Sequence, residues 1–324
     1  LETKNRIIGL DLARAIAIIG MIVTHTAELS WVGKILSSGI ASSLFAVVAG
    51  ITMVIISERP GKITYLRLIT RGLLVLLIGV ALVSFAVSIQ IILVIMGASM
   101  VLLFWVPKIR IQYQAILLVL LILAAAAKNQ WTTVYEPYSM LGWLAFMVGG
   151  MILFQVLQNN KNRVIWGVSG LVITIVGLYA RLNVEPPSFF SFVGHTGGVG
   201  NMILCLGAST AVLASCFFLG EKANASVLRP LTVFGMMSLT MYVAHVVSAE
   251  YLYKNIVQTS NIFALLSVVV GIIFAIIWAK FFKRGPLESL IRILIHTIVP
   301  TPARTSTDAA MPDSSEEKKQ KSVN

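Results

Sequence analysis

Ten stretches of this chain are apolar for long enough to cross a bilayer, which takes about 17 to 25 residues each. They fall near 8–29, 36–57, 66–83, 86–106, 111–127, 139–157, 163–181, 199–219, 230–251 and 260–282. Turn chemistry separates several of them: Glu58-Arg59-Pro60-Gly61, Pro107, Gln158-Asn159-Asn160 and Glu185-Pro186-Pro187-Ser188. The weakest boundary is Ser84 to Ser88, where no strong breaker stands. In hydrocarbon a spanning segment must satisfy its own backbone hydrogen bonds, and a closed helix does so. The expected fold is all-α, a polytopic membrane helix bundle of about ten transmembrane helices. Composition agrees, with 57% hydrophobic and 12% charged residues and a mean hydropathy of +0.89.

A formal charge of +12 would draw a soluble protein toward nucleic acid, but here the cations recur between apolar runs instead of forming one patch. Nucleic acid is excluded as a partner, and membrane lipids are expected instead. Seventeen Lys and Arg fall on one side of the ten-span arrangement and four, Lys34, Lys128, Arg181 and Lys254, on the other. By the positive-inside rule both termini are cytoplasmic. Lys4 and Arg6 before the first run resemble a signal peptide, but Asp11 and Arg14 interrupt its order, so the run is read as a permanent span. Cys205 and Cys216 would sit roughly 16 Å apart on one helix, too far for a disulfide.

Three units follow: a transmembrane domain over 1–283, an amphipathic inner-surface helix over 284–299, and a disordered cytoplasmic tail over 300–324. The helix rests on a stripe of apolar residues at 287, 290, 291, 294, 295 and 298. As a surface anchor it needs no chemistry, and His296 goes with it.

Within the first span stand Asp11, Arg14 and His25. Ionisable groups in a spanning helix usually face a protein interior or an aqueous cavity. At about 100° and 1.5 Å per residue, Arg14 and His25 share one face roughly 16 Å apart, with Asp11 one turn behind Arg14. His25 reads either as a structural histidine bonded between helices or as a base, with Glu28 three residues on to take its other ring proton. Asp11 and Arg14 either pair with each other, or Arg14 joins Arg67 and Arg71 in a basic inner mouth for a phosphate-bearing ligand.

The ninth span carries Ser238, Tyr242 and His245 at i, i+4 and i+7, a polar stripe that is either glue between helices or a cavity wall. His25, His195 and His245 all fall toward the outer side. His195 lies in Gly194-His195-Thr196-Gly197-Gly198, either a flexible cap or a row of amides at a helix start. Small residues at Ala145, Gly149 and Gly150 read as helix contacts. No metal site, Walker loop or nucleophile elbow appears in the sequence.

Several segments together resemble the integral-membrane acyltransferases related to heparan-α-glucosaminide N-acetyltransferase. They are Arg6-x4-Asp11-x2-Arg14 leading to His25, Leu44 to Gly50, Tyr138 to Leu144, Gly235-Met236-x-Ser238-x3-Tyr242-Val243-x-His245, and Gly285-Pro286-Leu287-Glu288. Met236 and Met237 stand where relatives carry basic and polar residues. The resemblance implies transfer of an acetyl group from cytoplasmic acetyl-CoA to a hydroxyl or amine of a sugar or glycolipid beyond the membrane, with His25 essential. On that reading His25, Glu28 and His245 are catalytic. Asp11, Arg14, Arg67 and Arg71 would hold the coenzyme, and Ser238, Tyr242 and His195 the acceptor. Two rivals remain: a transporter of a lipid-linked glycan or small anion using the histidines as a proton relay, and a helical scaffold without a ligand. Self-association stays open.

Overall fold

A computed structural model describes residues 7–300, apart from 59, 60, 62, 87, 132–138 and 256–258. Beyond Pro300 the expected tail lies outside the described residues, as do Lys4 and Arg6. The described residues form helices and no strand: α1 (Ile8–Thr26), α2 (Trp31–Ser37), α3 (Ile40–Ser57), α4 (Ile63–Val83), α5 (Ile92–Leu102), α6 (Ile111–Trp131), α7 (Met140–Leu157), α8 (Asn160–Asn183), α9 (Val199–Lys222), α10 (Ala225–Met236), α11 (Ser238–Asn255), α12 (Asn261–Phe281) and α13 (Pro286–Ile298).

Among the described residues, eight helical stretches are long and apolar enough to cross a membrane, α2 and α3 together counting as one. A ninth arises if α10 and α11, bent by 70° at Met237, form one broken span. The bundle of about ten spans thus holds eight or nine full-length candidates among the described residues. The run expected over 86–106 folds as α5, whose 11 residues reach only about 16 Å. It still returns across the bundle antiparallel to α4, because Gly79 meets Leu93 and Val94 while Gly72 meets Gly97 and Met100.

Close packing places the walls. Gly50 of α3 lies against the Met147 carbonyl of α7, and Gly150 of α7 against the Val47 carbonyl of α3. A side chain at either position would collide with backbone, so these glycines let two helices touch, as the small residues of the seventh helix led one to expect. Gly235 of α10 meets the Asp11 carbonyl of α1 in the same way. Ile18, Ile51, Met147 and Met151 are fully buried between these helices. The spans α6, α8 and α12 instead turn most of their surface outward.

Three interruptions of helical backbone are met by polar side chains from elsewhere in the chain, as a bilayer demands of unpaired N–H and C=O groups. At the α10–α11 break, Glu288 of α13 accepts from the Leu239 and Thr240 amides at 2.7 and 3.2 Å and from the Thr240 hydroxyl at 2.6 Å. At the start of α5 the Tyr242 hydroxyl accepts from Ile92 N–H at 3.1 Å, and Glu250 accepts from Ser88 N–H at 3.0 Å. At its far end Gln114 donates to the carbonyls of Val106 and Ile109. The amphipathic stripe after the last span is thus more than a surface anchor, since α13 caps α11.

Both ends of the described chain lie at one end of the bundle. Gly220 packs on Gly9 near the start of α1, whereas the start of α12 meets the end of α1 through Ser260 N–H to Thr26 O at 2.8 Å. Below, the arginine end is the one with Arg14 and the histidine end the one with His25.

Candidate functional site

At the histidine end α1 closes with His25, while α11 brings Tyr242 and His245 to one face, three residues apart. The His25 and His245 rings stack with centroids 5.9 Å apart and an interplanar angle of 29°. Tyr242 meets His245 edge-on at 5.0 Å and stacks against Phe45 at 5.9 Å. His25, Tyr242 and His245, with Ser42, Gln90 and His195, line a cavity of about 410 Å³ when its open mouth is counted. A second chamber, about 330 Å³ with its open mouth counted, is lined by Ser139, Trp143, Asn201 and Cys205 and shares Gly39, Ser42 and His195 with the first.

His245 is 4% exposed; among the described residues neither ring nitrogen has a hydrogen-bond partner of good geometry, although the Tyr242 backbone lies close enough to act on the ring. Leaving a buried polar group unpaired costs about 1 to 3 kcal/mol, so such groups call for an explanation. A neutral imidazole offers one donor and one acceptor. At a cavity wall beside a second imidazole, those are the groups that bind or deprotonate a hydroxyl or amine.

His195 enters from the 191–198 loop. Burial first, then the charges of His25 and Arg181, lower its pKa from 6.5 to about 4, which keeps the ring neutral at ordinary pH. The loop is no loose cap. Asn201 N–H bonds Ser191 O at 2.9 Å, Asn201 Nδ2 bonds Thr196 O at 2.7 Å, and the Thr196 hydroxyl bonds Val193 O at 2.7 Å.

Other expectations are corrected. Helix α1 ends at Thr26, so Glu28 does not sit one turn above His25. It is exposed, and its backbone N–H, not its carboxylate, binds Asn261. Ser238 starts α11 just past the break and lies outside the lining of both chambers. The stripe of three therefore shortens to Tyr242 and His245.

Asp11 and Arg14 form the ion pair that their spacing allows, at 2.9 Å, and Arg14 also donates to the Thr52 hydroxyl at 2.8 Å. Arg71 lies within the electrostatic reach of Arg14, Arg284 and Glu288. Arg67 stands one turn earlier on α4. None of these groups lines the histidine cavity. The sequence reading passed over Gly39, Ser42, Gln90, Asn201 and Arg181. Arg181 had a signal, being one of only four cations assigned to the outer side.

Residues 148–297 match the DUF418 family. That family is described as "Protein of unknown function". The DUF418 match takes in His195, Tyr242, His245, Arg181 and Glu288, and leaves out His25 and Arg14. It covers 150 of the 324 residues (148 through 297) and carries no activity. No curated protein matches the chain.

Proposed function

We propose that the protein is a membrane-embedded acyltransferase that moves an acetyl group from acetyl-CoA to a hydroxyl or amine of a sugar or glycolipid. The observation that carries this reading is the His25–His245 pair on a cavity wall, with neither His245 nitrogen in a hydrogen bond of good geometry among the described residues. A neutral imidazole takes the proton of the acceptor while the acceptor oxygen or nitrogen attacks the thioester carbonyl. The new C–O or C–N bond forms as the C–S bond breaks, and the proton passes to the departing thiolate. A route through an acyl-histidine balances equally, with His25 as transient carrier.

The arginine end is taken as cytoplasmic and the histidine end as the outer side, in keeping with the Lys and Arg distribution. Arg14, Arg71 and Arg284 set against Asp11 and Glu288 leave one net positive charge in this group (three minus two), enough to favour a phosphate-bearing donor. The donor's reactive end must then reach roughly 16 Å along α1 to His25.

Acetyl-CoA turnover by purified protein is the test. Wild type is expected to consume it, and His25→Ala and His245→Ala to lose that activity. Unchanged turnover in His25→Ala would falsify the role given to that residue. Cysteine labelling that placed Lys128 to Trp131 on the cytoplasmic side would overturn the orientation.

One observation favours the transporter as a second reading. The break between α10 and α11, and the non-helical Ile89–Gln90 stretch on the cavity wall, resemble the discontinuous helices that line transport sites. That reading requires substrate flux in liposomes without acetyl-CoA consumption.

A further inference from the structure

Arg181, at the end of α8, is 9% exposed. No carboxylate pairs with it among the described residues; its partners are four backbone carbonyls and one amide. Nε donates to Phe192 O at 2.7 Å, Nη1 to the carbonyls of Ile35, Leu36 and Ser38 at 3.2, 3.4 and 2.9 Å, and Nη2 to Asn201 Oδ1 at 2.8 Å. The acceptors belong to three pieces of chain: the C-terminal turn of α2, the 191–198 loop and the first turn of α9. A planar fork with five donors spans them, whereas an ammonium has three donors on one atom.

The pieces so joined enclose the line where the two chambers meet. Gly194 of the loop lies against Ser38, and a Cβ on Gly39 would stand 3.2 Å from His195 N. His195 itself has φ 62°, a left-handed conformation that crowds the Cβ of any residue but glycine. Such a conformation persists when its surroundings over-determine it. Here they do so on both sides, through Arg181 on Phe192 O and Asn201 on Thr196 O. Asn201 is itself fixed, its Oδ1 also receiving the Cys205 thiol at 3.5 Å.

We propose that Arg181 is a positioning residue: through the Phe192 carbonyl and Asn201 it holds the His195 ring at the junction of the two chambers, where His195 contacts the acceptor. The last clause rests on the acyl-transfer reading; the positioning itself does not. Arg181 touches no reacting atom and acts through the loop. The buried charge is offset by the carbonyl dipoles of two of the segments it joins, so turn, loop and cation depend on one another.

Two readouts on full-length protein in lipid nanodiscs test this. In the first, ¹⁵N-labelled imidazoles are titrated, with His195 assigned by its loss in His195→Gln. Wild-type His195 should remain neutral down to about pH 4. In Arg181→Lys, which keeps the charge but loses the fork, and in Asn201→Ala, the loop loosens. His195 should then titrate near its ordinary 6.5. His25 and Arg181 are the charged groups acting on it, and both remain charged or chargeable in these variants. An unchanged His195 titration in both variants overturns the proposal.

In the second, acetyl-CoA turnover is measured for Arg181→Lys, His195→Gln and the double variant. Each single change should lower turnover by about 10²-fold, the cost of a small misplacement, and the double variant should fall no further than the worse single. Additive losses overturn the positioning role. If wild type consumes no acetyl-CoA, the acyl-transfer reading fails while the titration still decides the part played by Arg181. If Arg181→Lys does not assemble, Asn201→Ala carries both readouts.

Discussion

His25 and His245 stand 220 positions apart in the chain (25 to 245), yet their rings stack at 5.9 Å. The pair exists because α1 is packed between the α10–α11 arm and α3, with Gly235 letting α10 come down on the Asp11 carbonyl. Among the described residues His245 gains no hydrogen bond of good geometry from that burial.

A group kept for function at a cost to stability can be exchanged for a stabler one. His245→Phe fills the same space without an unpaired donor or acceptor, so its melting temperature in detergent should equal or exceed that of wild type. Acetyl-CoA turnover should fall by about 10² to 10⁴-fold, the usual value of an acid–base group. A variant that melted well below wild type would make His245 a structural histidine.

The α3–α7 contact predicts the opposite pattern. Gly150→Val drives a branched side chain into the Val47 carbonyl, and backbone cannot step aside cheaply. A loss of about 3 kcal/mol is expected, read as a lower melting temperature and a smaller folded yield.

Glu288→Ala removes three acceptor contacts at the start of α11. The helix carrying Tyr242 and His245 then begins with unpaired amides at its break. Stability should drop by about 1 to 2 kcal/mol, the value of a helix cap, and turnover should fall with it. Glu288→Gln retains an acceptor and should recover part of both.

A pH effect follows from His195. Its folded pKa of about 4 lies below the unfolded value of 6.5, so between those values the unfolded chain binds a proton that the native loop does not. Stability is therefore complete above pH 6.5 and declines as the pH falls toward 4. His195→Gln should flatten the melting temperature across that window. An equally steep decline in the variant would locate the effect elsewhere.

Much of the fold was legible in local pattern. Apolar run length marked the spans, the 287–298 stripe marked α13, and the three-residue spacing of Asp11 and Arg14 marked their ion pair, since all three depend on neighbours in sequence. Where a run broke was not legible. Nothing in 86–106 announces that, among the described residues, the α-helix there is confined to Ile92–Leu102, because the groups that stabilise the break, Tyr242 and Glu250, come from far along the chain. Glu28 failed for the related reason that a helix end, here at Thr26, decides whether a spacing places two residues on one face.

The sequence by itself determined an apolar all-helical bundle and a set of histidines toward one end, because hydrophobic length and charge are properties of segments. Tertiary structure alone decided that His25 meets His245, that Ser238, at the first turn of α11, falls outside the cavity lined by Tyr242 and His245, and that Arg181 fastens the loop of His195. Those relations depend on how closely helices approach and on which polar group meets each interrupted stretch of backbone, and both are set by contacts between distant residues.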